Sequence, residues 1–177
     1  MANGKIISID GMGGDHAPRI VVEGLERFAQ RRRDLNFLLH GNETQLAPLM
    51  AKAPTAAART TIRHTDKMIS MDAKPADAVR RGKGSSMWNA IESVKNGEAM
   101  AAVSAGNTGA LMGQSMLILK KAEGVERPAL AASWPTRTGV CAMLDLGADI
   151  AATAEQLVEF AIMGQAFARV VNGVANP

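Results

Sequence analysis

Short apolar runs alternate with stretches of helical periodicity almost from the first residue, and this alternation constrains the fold more than any other feature. It is the pattern of βαβ units around a mostly parallel sheet, because parallel neighbours need a crossover long enough to hold a helix. Lys5 to Asp10 (KIISID) reads as a buried first strand. Pro18 then suits the first position of a helix running to Arg33, with Ile20, Val21, Leu25 and Phe28 at helical spacing. A second strand begins near Leu35. Asn42 and Gln45 form a capping pair for a short helix carrying Leu46, Leu49 and Met50.

Ala51 to Ala58 carries little information, and Arg59 to Thr65 reads as a third, partly exposed strand. A short helix (PADAVRR), a loop (RGKGSS) and a helix from Ser86 to Asn96, stopped by Gly97, follow. Ala99 to Ser104 is a strand and Thr108 to Lys121 an amphipathic helix. Two further apolar runs, PALAASW and TGVCAMLDLG, form adjacent strands joined by a turn around Pro135 to Arg137. Thr153 with Gln156 is a capping box for a last helix, Ala154 to Val171, ended by Gly173. The closing NGVANP reads as the approach to another strand, so the expected architecture continues past Pro177.

With 177 residues, 47% of them apolar and 21% charged, the chain supplies a real core. A chain of this size buries roughly 70% of its unfolded surface, which excludes wholesale disorder and a disulfide-stapled miniprotein. A net charge of +3 and only 3% aromatic residues, with no tyrosine, argue against nucleic acid as a partner. The densest basic run, Arg31-Arg32-Arg33, falls in the last turn of a helix, where cations complement the dipole. A single cysteine, Cys141, fits a reducing compartment and hence the cytoplasm, and its apolar run makes it a buried core thiol. Met112, Met116 and Met163 fall on helix faces and read as core. No apolar run approaches the roughly 18 residues of a membrane helix, and the N-terminus lacks the long apolar region of a secretory signal.

Three glycine- and hydroxyl-rich segments precede helices: Gly11-Met12-Gly13-Gly14-Asp15, Lys83-Gly84-Ser85-Ser86, and Ser104-Ala105-Gly106-Asn107-Thr108-Gly109. The first and third directly follow strands. Helix starts carry free N–H groups and the positive end of the dipole, and glycine lets backbone approach an anion closely, so together they read as a phosphate pocket. Singly, each is also ordinary turn chemistry. No segment matches GxGxxG at the required spacing or GxxxxGK[ST], so neither a nicotinamide nor a P-loop nucleotide is expected. His40 and His64 lack spaced ligand partners; no metal and no cofactor is expected.

The segments IDGMGGDHAP (Ile9 to Pro18), RGKGSSMWNAI (Arg81 to Ile91), SAGNTGALM (Ser104 to Met112), RPALA (Arg127 to Ala131) and LDLGAD (Leu144 to Asp149) resemble, in order, the phosphate acyltransferases of bacterial phospholipid synthesis, the PlsX family. The resemblance implies an enzyme that moves a fatty acyl group from acyl carrier protein to inorganic phosphate, giving acyl phosphate. It also implies a three-layer αβα fold like isocitrate and isopropylmalate dehydrogenases, and a homodimer in the cytoplasm, in peripheral contact with the inner membrane face. Family chains are about twice as long, so residues 1–177 are expected to be the N-terminal portion of a single α/β domain whose C-terminal half is absent. Asp149 stands where the family has Asn, exchanging an amide donor for an acceptor-only carboxylate.

Inorganic phosphate is already a nucleophile near neutral pH and a thiolate leaves readily, so positioning and oxyanion stabilisation can carry the reaction without a Ser-His-Asp triad. Lys83 is expected to pair with phosphate, and Ser85, Ser86, Asn107 and Thr108 to donate to phosphate or to the developing oxyanion. Gly13, Gly14, Ser104, Gly106 and Gly109 line the substrate loops. Asp15 orients donors or bonds its own loop, as does Asp10, and His16 is a candidate proton donor to the departing thiol. Asp145, at a strand end, either orients the pocket or accepts a turn N–H. Two rival readings are a non-catalytic anion-binding fragment and a phosphotransacetylase-like transferase acting on acyl-coenzyme A.

Overall fold

The computed structural model describes residues 5–146 and 152–177, and residues 1–120 and 121–177 form two compact units. In the first, the strands β1 (Lys5–Asp10), β2 (Leu35–Gly41), β3 (Thr60–His64) and β4 (Ala101–Val103) make one parallel sheet in the order β3-β2-β1-β4. The chain thus builds outward from β1 to β3 and then crosses back to place β4 on the other side of β1. The carboxyl ends of β1 and β4 therefore lie side by side where the strand order switches, the place where open α/β sheets form their ligand crevice.

The helices of this unit are α1 (Arg19–Arg31), α2 (Glu43–Met50), α3 (Pro54–Ala57), α4 (Pro75–Arg81), α5 (Ser86–Lys95) and α6 (Thr108–Leu119). Alternation along each strand sorts the sheet's two faces. Ile9, Phe37 and Leu39 pack with Val22, Leu25 and Ala29 of α1 and with Leu46 and Met50 of α2. Phe37 is 1% exposed, and full burial of such a side chain contributes about 1.5–3 kcal/mol. On the opposite face α5 packs across β1, β2 and β4. That face mixes apolar and polar groups: Met87 and Ile91 of α5 are buried there with Ala102 of β4 packed against them, and so are Ser8, Asp10 and His40 on the strands, Ser86 and Ser93 of α5, and Ser85 just before it. His40 Nε2 lies 3.3 Å from Ser93 Oγ, while burial, and then the charge of Arg63, lower its pKa to about 4.

Local signals placed these elements with few displacements. Pro18 is the residue before α1, not its first residue, and the strand expected over Ala99 to Ser104 is three residues long. The uninformative alanine stretch contains α3, whose N-terminus is capped by Glu26 of α1: its carboxylate accepts Ala56 N at 2.7 Å and Thr55 N at 3.3 Å. The expected amphipathicity of α6 is incomplete. Ala110, Gln114 and Ile118 form its buried stripe, but Met116, Leu117 and Leu119 are exposed, so Met116 is not a core residue.

The second unit joins β5 (Ala131–Thr136) and β6 (Gly139–Leu144) as an antiparallel hairpin, with α7 (Ala154–Asn172) packed on β6. Pro135 and Thr136 lie within the ladder, so the turn expected around Pro135 to Arg137 includes Arg137 but falls at Arg137 and Thr138. Thr153 and Gln156 cap α7 reciprocally, and Gly173 ends it with φ 69°. Cys141 is exposed, correcting the expectation of a core thiol. Among the described residues no further strand pairs with this two-stranded ladder, so an apolar run within it is half covered there. Residues 173–177 carry no strand, Asp145 is left-handed at φ 58°, and Asp149 lies outside the described residues.

Candidate functional site

The β1–α1 and β4–α6 loops are pressed together at the crevice. A methyl group on Gly13 would overlap Asp10 Oδ2 and come within 2.8 Å of Ser104 Oγ and 2.9 Å of Gly106 N. One on Gly106 would reach Met87 Cε at 2.8 Å and Gly13 Cα at 3.3 Å, so the start of α5 belongs to the same cluster. Only glycine permits such an approach of two backbones, and at Gly14 the φ of 113° adds a conformational requirement. Asp10, 2% exposed, ties the loops: its carboxylate accepts Ser104 Oγ–H at 2.7 Å and Met12 N–H at 3.2 Å. Ser104 Oγ in turn accepts Gly106 N–H at 3.0 Å.

The Lys83 loop is anchored from the segment after β3. Thr65 Oγ1 donates to Gly84 O at 2.7 Å, Lys67 Nζ to Lys83 O at 2.8 Å, and Ser86 N to Lys67 O at 2.9 Å. These bonds hold an exposed Lys83 on a braced backbone. Lys67 brings a second cation to this loop, and sequence inspection missed it because its segment has neither periodicity nor glycine. Ser85 is the N-cap of α5 and accepts Trp88 N at 3.2 Å. Ser86 Oγ is buried and has no hydrogen-bond partner among the described residues.

Asn107 caps α6 by accepting Ala110 N–H at 2.9 Å, and its amide donates to Met71 O at 2.6 Å and Ala73 O at 3.0 Å. Its side chain is therefore committed to structure. The N–H groups of Thr108 and Gly109 belong to the first helical turn, whose donors lack intrahelical acceptors. Gly109 is small because Pro75 packs on it, with Cγ 2.7 Å from where a Cβ would stand. Asp15 and His16 are exposed on the first loop. The structure thus gathers Gly13, Gly14, Ser104 and Gly106 with the start of α5, while Asp15 and His16 face solvent.

An apolar groove of about 320 Å³ is lined by Ile7, Ile20, Phe28 and Val103 among others, and Asp10, Ser104 and Ala105 of this cluster are also part of its lining. Among the described residues no group of three or more His, Cys, Asp or Glu side chains is arranged to hold a metal ion, and no helix is long and apolar enough to cross a membrane.

The chain matches the family model described as "Fatty acid synthesis protein" over residues 6–177. It is 54% identical over 177 residues to the phosphate acyltransferase of Caulobacter vibrioides, a match covering 100% of this chain and 49% of the relative. The corresponding protein of Parvibaculum lavamentivorans is 53% identical over 178 residues, covering 100% of this chain and 49% of the relative. That of Rhodospirillum rubrum is 50% identical over 177 residues, with 100% and 51% covered. The chain thus spans about half the length of the curated relatives it matches. The family model spans almost the whole chain, and on that match, together with identities of 50–54% to these proteins, the chain belongs to the phosphate acyltransferase family.

Proposed function

We propose that this chain carries the phosphate-binding side of an enzyme that transfers a fatty acyl group from acyl carrier protein to inorganic phosphate. The observation that carries the reading is the meeting of the glycine loops after β1 and β4 at the switch in strand order, where open α/β sheets place their ligands and where the start of α6 offers free N–H donors. In the reaction a phosphate oxygen attacks the thioester carbonyl carbon, the tetrahedral oxyanion collapses, and the C–S bond breaks to release the carrier thiolate, which takes a proton from solvent. The products are acyl phosphate and free carrier protein.

In this proposal Lys83 supplies the charge that attracts phosphate, and Ser86 Oγ with the N–H groups of Thr108 and Gly109 supplies donors to phosphate or oxyanion. Loss of one such donor typically lowers turnover by about 10²–10³-fold. Asn107 and Ser85 act by holding the starts of α6 and α5, and Asp15 and His16 stand at the solvent side of the first loop. The same reading places the enzyme in the cytoplasm as a homodimer in peripheral contact with the inner membrane face, with an isocitrate-dehydrogenase-like fold, and it requires neither cofactor nor metal.

The test is hydroxylamine trapping of acyl phosphate from long-chain acyl carrier protein and phosphate. It is run with this chain alone and with a version extended to the full length of its relatives. Acyl hydroxamate from the extended protein supports the reading. Its absence there, or a preference for acetyl-coenzyme A, overturns it.

A further inference from the structure

We infer that Asp10 is a positioning residue of this site, acting through Ser104 to set the shape and polarity of the anion pocket; the inference rests on the acyl transfer reading above. Asp10 closes β1 at the sheet's carboxyl edge, and Ser104 follows β4, its neighbour across the switch in strand order. The two residues are 94 positions apart, and their bond is the polar tie between the β1–α1 and β4–α6 loops.

The direction of that bond decides what the pocket offers. Carboxylate oxygens only accept, so at 2.7 Å the Ser104 hydroxyl must point its proton at Asp10 Oδ2. Ser104 Oγ is then left with lone pairs, and one is used by Gly106 N–H at 3.0 Å. The other carboxylate oxygen accepts Met12 N–H at 3.2 Å, fixing the residue that precedes Gly13. One buried carboxylate therefore sets the backbone of both glycine loops. It also removes Ser104 from the donors available to phosphate, in contrast with the expectation that Ser104 binds substrate directly. Gly13 fits this cluster only as glycine, since a Cβ there would meet Asp10, Ser104 and Gly106 together.

Asp10→Asn keeps the size and one acceptor but replaces the oxygen facing Ser104 with a donor. Ser104 Oγ must then accept from the amide as well as from Gly106 N–H and turn its own proton elsewhere, which relaxes both loops. The experiment uses the full-length protein and measures kcat and KM for phosphate, phosphate binding by titration calorimetry, and melting temperature. The variants are Asp10→Asn, Ser104→Ala, the double variant and Ser104→Thr. The expected result is a rise of tenfold or more in phosphate KM and dissociation constant for Asp10→Asn. Ser104→Ala should give a similar rise, the double variant no more than the larger single effect, and Ser104→Thr, which keeps the hydroxyl, near-normal binding.

Unchanged phosphate affinity in Asp10→Asn, or single effects that multiply in the double variant, overturns the positioning role. So does a threonine variant as impaired as the alanine one. If Asp10→Asn fails to fold, the Ser104 pair decides alone. If wild-type protein binds phosphate but makes no acyl phosphate, the transfer reading fails while the calorimetric comparison still judges Asp10. A wild type that does not bind phosphate overturns both.

Discussion

His40 and Ser93 meet across the interface of β2 and α5, Nε2 and Oγ 3.3 Å apart, in a layer that also buries Ser8 and Asp10. The imidazole is kept neutral there: burial, then the positive charge of Arg63, lower its pKa from 6.5 to about 4. The unfolded chain binds this proton at higher pH than the folded one, so stability from this group is present above about 6.5 and is lost as pH falls toward 4. Melting temperature should decline over that window, and His40→Gln should flatten the decline. Parallel curves for the two proteins would remove His40 as its source.

Gly13 and Gly24 make an internal contrast. Gly13→Ala forces a Cβ into Asp10 Oδ2 and the opposing loop, and overpacking of this kind costs about 1–3 kcal/mol. Gly24, within α1, has nothing within 4 Å of an added Cβ, so Gly24→Ala should stabilise by about 0.5–1 kcal/mol. Urea denaturation of both variants checks the signs. Phosphate affinity should fall only in the first.

At Asn107 two functions of one side chain separate by substitution. Asn107→Asp retains the cap acceptor for Ala110 N but loses the amide donors to Met71 O and Ala73 O, whereas Asn107→Ala loses both. Loss of a cap costs about 0.5–2 kcal/mol, and each lost hydrogen bond roughly 0.5–1.5 kcal/mol. The alanine variant should melt lower than the aspartate variant, and both lower than wild type.

Lys83 and Lys67 should differ in kind. Lys83 is exposed, so Lys83→Ala should raise phosphate KM about tenfold, the equivalent of ~1.4 kcal/mol, without moving the melting temperature. Lys67 Nζ braces the Lys83 carbonyl, so Lys67→Met should also increase hydrogen exchange of the 82–86 loop. Equal exchange in the two variants would contradict the brace.

Exposed Cys141 should react with a thiol reagent in the native protein at a rate within a few fold of the urea-unfolded chain. Protection by orders of magnitude would restore the buried reading.

Much of the candidate site was legible because glycine-rich loops ahead of helices are local features. Three glycine- and hydroxyl-rich stretches before helices need no long-range information, and Asn42 and Thr153 were readable as caps from a spacing of three residues, whereas the cap roles of Ser85 and Asn107 were not read. What each polar group bonds beyond its own turn was not. In the sequence Asn107 reads as a donor to substrate, whereas in the fold its amide donates to Met71 O and Ala73 O. The alanine stretch before β3 gave no sign of α3 because its cap, Glu26, arrives from 30 residues earlier.

The sequence by itself determined the alternation of strand and helix, the caps, and which loops could receive an anion, since these depend on neighbours within a few residues. Only the tertiary structure decided that β4 returns beside β1, that Asp10 accepts the hydrogen bond of Ser104, and that Cys141 faces solvent. Strand order and the covering of a face are set by packing between segments far apart in the chain. Hydrophobic periodicity states only that a face must be buried, never against what.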